Sequence, residues 1–104
     1  MKAIMAFNTN NEMNRLTGKQ LAKRVKAITQ VAGGVTATEH LGGYKREDNG
    51  QLDIEYSYEF EVFNDDKEVV SKLTDLFHDW GVLNQQESII IDGDFIDTTG
   101  DLAW

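Results

Sequence analysis

An α+β domain with the element order βαββαβ is predicted by three features of the sequence. Residues 52–63 alternate strictly between apolar side chains (Leu52, Ile54, Tyr56, Tyr58, Phe60, Val62) and mostly acidic ones, the period of a half-buried strand. Two stretches with helical apolar spacing each follow a capping residue. An Asn49-Gly50 pair joins two strand-like runs, a strong short-range signal for a hairpin.

Taken in order, residues 2–8 (KAIMAFN) form a short apolar run that predicts the first strand, and residues 9–15 read as a polar loop. Thr17 and Gln20 have the spacing of a capping box, with Leu16 and Leu21 placed to staple the helix start. Leu21, Val25, Ile28 and Ala32 continue one apolar stripe, and Gly33-Gly34 ends it. Lys19, Lys23, Arg24 and Lys26 lie largely off that stripe and read as a solvated face.

Residues 35–44, rich in β-branched side chains, predict the second strand. With Asn49-Gly50 as a two-residue turn, Arg46 faces Asp53, Tyr44 faces Glu55, His40 faces Glu59 and Thr38 faces Glu61 on the polar side. This register leaves one misfit, Glu39 pointing inward opposite Phe60. Asp65 and Glu68 suit the start of a second helix, whose stripe runs from Val69 to Trp80 and closes at Gly81. Residues 88–92 predict a short buried strand. The tail from Gly93 mixes turn formers with Phe95, Ile96, Leu102 and Trp104, and the terminal Trp is expected to pack on the domain or on a neighbouring subunit.

Two right-handed crossovers in this order give a ferredoxin-like arrangement: a four-stranded antiparallel sheet with both helices on one face, covering the apolar side of residues 52–62. The acidic side then stays open. The length of 104 residues fits a single domain spanning residues 1–104.

Composition excludes several functions. With no cysteine, neither disulfides nor thiolate chemistry nor cysteine-ligated metal is possible. No apolar run approaches the roughly 20 residues that span a bilayer, so a cytoplasmic protein with no membrane contact is expected. A net charge of −8 argues against direct nucleic-acid binding. The charge is uneven: residues 1–46 carry eight bases and two acids, whereas residues 47–104 carry sixteen acids and two bases.

The candidate binding residues are those of the open sheet face: Thr38, His40, Tyr44, Arg46, Asp53, Glu55, Glu59 and Glu61. Among them His40, Glu59, Tyr44 and Glu55 form the one group suited to acid-base chemistry, since a carboxylate fixes the tautomer of a neighbouring imidazole. His78 reads as a helix-surface residue. Asp92, Asp94, Asp97 and Asp101 lack the spacing of a calcium loop and read as solvated acids, so no metal is expected. No glycine-rich phosphate loop is present, and no cofactor is expected.

Gly34-Val35-Thr36, Gly43-Tyr44, residues 55–58 (EYSY) and residues 86–88 (QES) resemble segments of PII-like and ACT-like small ferredoxin-fold proteins, over about residues 33–92. That resemblance implies a homo-oligomer with ligands held at subunit boundaries. The loop over residues 45–51 is much shorter than the loop of the nucleotide-signalling members. Small acidic domains of this style also look like products of phage and mobile elements.

The expected function is an acidic, oligomeric binding or regulatory module acting on a protein partner or ligand through its open sheet face or subunit interfaces. Two other readings stand beside it. One is an acidic inhibitor of a basic nucleic-acid-binding protein, although same-face carboxylates on a strand, about 6.8 Å apart, have half the charge density of a DNA strand. The other is a small enzyme using His40.

Overall fold

In the computed structural model, which describes residues 1–102, the chain forms five strands and two helices. They are β1 (Lys2–Met5), α1 (Gly18–Ala32), β2 (Thr36–Lys45), β3 (Leu52–Glu61), α2 (Lys67–Leu83), β4 (Ser88–Ile91) and β5 (Asp94–Asp97). A short turn over Glu12–Asn14 lies between β1 and α1. The strands make one antiparallel sheet in the order β2-β3-β1-β4-β5. Trp104 lies outside the described residues.

The fifth strand corrects the four-strand expectation. Asp92 (φ 50°) and Gly93 (φ 86°) both take left-handed conformations, and Ile91 pairs with Asp94 across them. This is the Asp-Gly hairpin turn, and it folds the first part of the tail back on β4. Phe95 and Ile96 are thereby drawn into the sheet.

Helix α1 starts and stops where its residues dictate. Thr17 Oγ1 accepts from Gln20 N at 3.1 Å while Gln20 Oε1 accepts from Thr17 N at 2.8 Å, the reciprocal capping box. Gly33 closes the helix in a left-handed conformation. The cap of α2 is Asp66 rather than Asp65: its Oδ1 accepts from the N–H groups of Glu68 and Val69, and Asn64 Oδ1 in turn accepts from Asp66 N.

Gly81 was expected to end α2, yet the helix runs on to Leu83. The residue is small for a packing reason. A Cβ at position 81 would come within 2.6 Å of Thr98 Cγ2 and 3.0 Å of Ile89 Cγ2. Thr98 is buried and its hydroxyl donates to Gln86 O, so it cannot move aside. Gly81→Ala is therefore expected to lower stability by about 1–3 kcal/mol despite its better helix propensity. A rise in the urea midpoint would contradict this packing.

The core lies between the helices and one sheet face. Ala3, Met5 and Phe7, Tyr58, Phe60 and Val62, and Ile89 and Ile91 meet Ile28 of α1 and Leu73, Phe77 and Trp80 of α2. The helices do not cover the whole apolar side of β3, contrary to expectation. The β2-β3 hairpin projects past them, leaving Leu41, Ile54 and Leu52 at 58, 57 and 73% exposure on the face that further along is core.

Candidate functional site

The hairpin register decides which side chains meet. Lys45 pairs with Leu52, and Arg46 N donates to Gln51 O at 2.8 Å, so the connection between the strands is longer than a two-residue turn. Gly50 (φ 69°) donates to Arg46 O within it. Every cross-strand partner is displaced by two residues from the expected register. A displacement of two preserves which face each side chain occupies, so the predicted polar face stays polar while its pairs change.

On that face Thr38 now lies opposite Glu59, His40 opposite Ser57 and Tyr44 opposite Asp53. His40 Nε2 still reaches Glu59 Oε1 diagonally, at 3.8 Å, and Lys2 Nζ lies 4.0 Å from Glu59 and 3.7 Å from Glu61. Arg46 pairs with Asp53 across the closing end of the hairpin. Burial, then the nearby charges of Glu55 and Asp53, raises the pKa of Tyr44. Glu55 accepts from Asn14 Nδ2 at 3.2 Å. The expected acid-base group is thus divided: Glu59 faces His40 and Lys2, while Tyr44 faces Asp53 and Glu55 is held from the loop before α1.

The change of register resolves the misfit on the other face and creates a second polar site there. Glu39 stands opposite Tyr58 instead of Phe60. The Tyr58 hydroxyl donates to Glu39 Oε2 at 3.0 Å and accepts from Leu16 N at 2.8 Å. Arg15 closes on the same carboxylate with two contacts, Nη2 to Oε1 at 3.0 Å and Nε to Oε2 at 3.2 Å, a forked pair. Its guanidinium also lies 4.9 Å above the Tyr56 ring.

These residues are positioned from two directions. Strand pairing aims Glu39 and Tyr58 at one another, and the tight turn at Met13 and Asn14, both with positive φ (51° and 57°), brings Arg15 and Leu16 over the end of the pair. Burial is the main cause raising the pKa of Tyr58; the Leu16 N–H opposes it and the Glu39 carboxylate adds to it. The hydrogen bond from Arg15 to Glu39 pushes the guanidinium further up, keeping it protonated.

Beside the group is a cavity of about 430 Å³ lined by Asn11, Glu12, Arg15, Leu16, Thr17, Gly18, Leu21 and Glu39. Its wall combines two carboxylates, Glu12 and Glu39, and the Arg15 guanidinium with the aliphatic Leu16 and Leu21, so that without Arg15 its chemistry would suit a small organic cation. Sequence reasoning did not select Arg15, Glu39 or Tyr58 as site residues. The signal for them was the inward-pointing Glu39, a charged residue at a core-facing position that required a partner. Among the described residues no group of three or more His, Asp or Glu side chains is arranged to hold a metal ion, and no helix is long and apolar enough to cross a membrane.

Fold and site together define a two-helix, five-strand α+β domain with a carboxylate-bearing cavity beside the Arg15–Glu39–Tyr58 group. No family model and no curated protein matches the chain. Two solved structures share its fold: a phage SAM lyase in complex with S-methyl-5′-thioadenosine (TM-score 0.53) and a phage SAM lyase in the apo state (TM-score 0.56). Each is 20% identical, over 92% of this chain and 82% of the other. These neighbours overturn the expected binding or regulatory module, since the proteins that share the fold are named as enzymes.

Proposed function

We propose that this chain is an S-adenosylmethionine-cleaving enzyme that releases S-methyl-5′-thioadenosine, phage-encoded and acting in the cytoplasm. In this reading the first four strands and two helices are a ferredoxin-like core, to which β5 is appended. The observation that carries the proposal is the cation already seated at the site. Arg15 lies over the Tyr56 ring and forks onto Glu39 beside the cavity, in a chain whose fold is shared with SAM lyases.

The substrate sulfonium is a cation that carboxylates and aromatic faces both attract. Arg15 is well exposed at the end of a loop, so a substrate can displace it and set its sulfonium against Glu39 and Tyr56. Release of S-methyl-5′-thioadenosine then requires no protein base. A substrate carboxylate oxygen attacks its own Cγ, a C–O bond closes a five-membered lactone, and the Cγ–S bond breaks with its electron pair left on sulfur. No proton moves and no co-reactant is consumed. The step merges a negative and a positive charge, so a wall of poorly polar side chains such as Leu16 and Leu21 favours it over water. Glu39 orients the substrate, its Oε2 held in place by the Tyr58 hydroxyl.

The test is incubation of the purified chain with S-adenosylmethionine, with S-methyl-5′-thioadenosine followed by chromatography. Product should form well above the spontaneous rate. Glu39→Gln should lower kcat/KM about ten- to a hundredfold through loss of the charge partner, while Arg15→Ala, which removes the competing cation, should lower KM. No product above background together with no saturable binding of the substrate overturns the proposal.

Copies of the chain are proposed to associate through the projecting hairpin, since Leu41, Ile54 and Leu52 form an uncovered apolar patch on one face of it. An Ile54→Lys, Leu52→Asp double variant should scatter light as a smaller species than the parent chain. An unchanged mass would rule out the arm as the contact.

A further inference from the structure

On the other side of Leu16 lies a second cavity of about 430 Å³, between α1, the end of β1 and α2, and its chemistry is opposite to that of the Glu39 site. Arg24 is half-buried there, its guanidinium 4.7 Å from the Phe7 ring and 4.7 Å from the Trp80 ring. Asn8, Thr9, Gln20, Lys23 and Asn84 complete the polar part of the wall. In a chain with 18 acidic residues, no carboxylate among the described residues forms an ion pair with Arg24. Burial lowers its pKa with no carboxylate to offset the shift. A cation partly withdrawn from water and left without a counter-charge is unusual, because desolvation is normally compensated by a partner.

The surroundings of Arg24 determine what the site can take. Its guanidinium carbon lies over both rings, which are inclined at 61° to each other, so the rings supply apolar and cation–π contact but accept none of its N–H groups in plane. Those N–H groups match the two oxygens of a carboxylate or phosphate. Lys23 adds a second positive charge at the cavity, which favours a doubly charged anion.

We infer that the Arg24 cavity binds an oxyanion, the phosphate or carboxylate group of a small molecule, at a site separate from the Glu39 cavity. The site is independent of the SAM-cleaving reading, because Leu16 lines both cavities but neither Glu39 nor Tyr58 lines the second.

Trp80 reports on the site directly. A Trp104→Phe chain leaves Trp80 as the sole tryptophan, and its emission can be followed while inorganic phosphate or acetate is added at constant ionic strength. Phosphate is expected to give a saturable change, and tighter binding than acetate assigns the site to phosphate groups. Comparable binding of the two assigns it to oxyanions in general, carboxylates included. Arg24→Gln should abolish saturation, and Arg24→Lys, which keeps the charge but loses the fork, should weaken it about tenfold or more. Circular dichroism of each variant checks that it is folded, and Lys23→Gln, an exposed position, supplies a variant that keeps Arg24 and should bind phosphate more weakly than the parent chain. A response that never saturates, or one equal in parent and folded Arg24→Gln chains, overturns the inference. S-adenosylmethionine cleavage is measured in the same proteins, so loss of the anion site and loss of the proposed activity are told apart.

Discussion

Phe60→Ala is expected to cost about 3–5 kcal/mol, a large share of the roughly 5–15 kcal/mol that holds a domain together. Phe60 is fully buried and packs against three other rings: Phe7 and Trp80 edge-on, with centroids at 6.4 and 6.1 Å, and Phe77 stacked at 6.0 Å. It also pairs with Ala3 on one side and Ala37 on the other, so the strand at the centre of the core loses its filling between two small neighbours. Those alanines cannot expand into the space, and a cavity that the surroundings cannot close adds to the transfer cost. Urea denaturation measures the loss. Phe95→Ala is the control, since Phe95 is 76% exposed on β5 and its removal should change stability by no more than about 0.5 kcal/mol. Equal losses at the two positions would mean that the ring cluster around Phe60 is not the centre of the core.

How much of this was legible in the sequence depended on whether the signal was local. The capping box of Thr17 and Gln20 and the stop at Gly33 are complete within a few residues and form as read, while the alternation of β3 gives a strand whose apolar side is buried only from Tyr58 onward. The register of the hairpin is not local. Asn49-Gly50 marked the turn, but the loop type depends on how Lys45 and Leu52 pair, and the faces survived only because the displacement was by two residues. Asp92-Gly93 is the same kind of turn signal as Asn49-Gly50, but the short strand it adds shows no alternation of its own and is defined only by its pairing with β4. Gly81 reads as a helix end in the sequence because its actual reason, the closeness of Thr98 and Ile89, lies farther along the chain. The same holds for the site. Glu39 was recognisable as an inward charge, but Arg15 and the Tyr58 hydroxyl could be matched to it only once the sheet and the loop before α1 were in place.

Tyr58→Phe should separate the structural and functional roles of that group with the loss of one oxygen atom. The ring stays buried against Phe7, at 6.0 Å, so the packing is kept. Two hydrogen bonds go. Leu16 N–H is left buried without its acceptor, a loss of about 1–3 kcal/mol, and Glu39 loses the donor that holds Oε2. The proposed cleavage of S-adenosylmethionine should fall about tenfold in kcat/KM, less than in Glu39→Gln, because the carboxylate survives and is only less well aimed. The pH dependence gives an independent check. The folded-state pKa of Tyr58 is raised, chiefly by burial, above the value of about 10 for an exposed phenol. Folding thus favours the neutral phenol, and its contribution is whole below about pH 10 and lost as the pH climbs through the raised folded value. The parent chain should therefore lose stability along an alkaline limb that starts near pH 10. In Tyr58→Phe the limb should be shallower, the remainder coming in part from Tyr44, whose pKa is raised as well. An identical alkaline slope in both proteins would show that the burial of Tyr58 and its bond to Glu39 do not hold the phenol proton, and the orienting role assigned to it in the site would fall with that result.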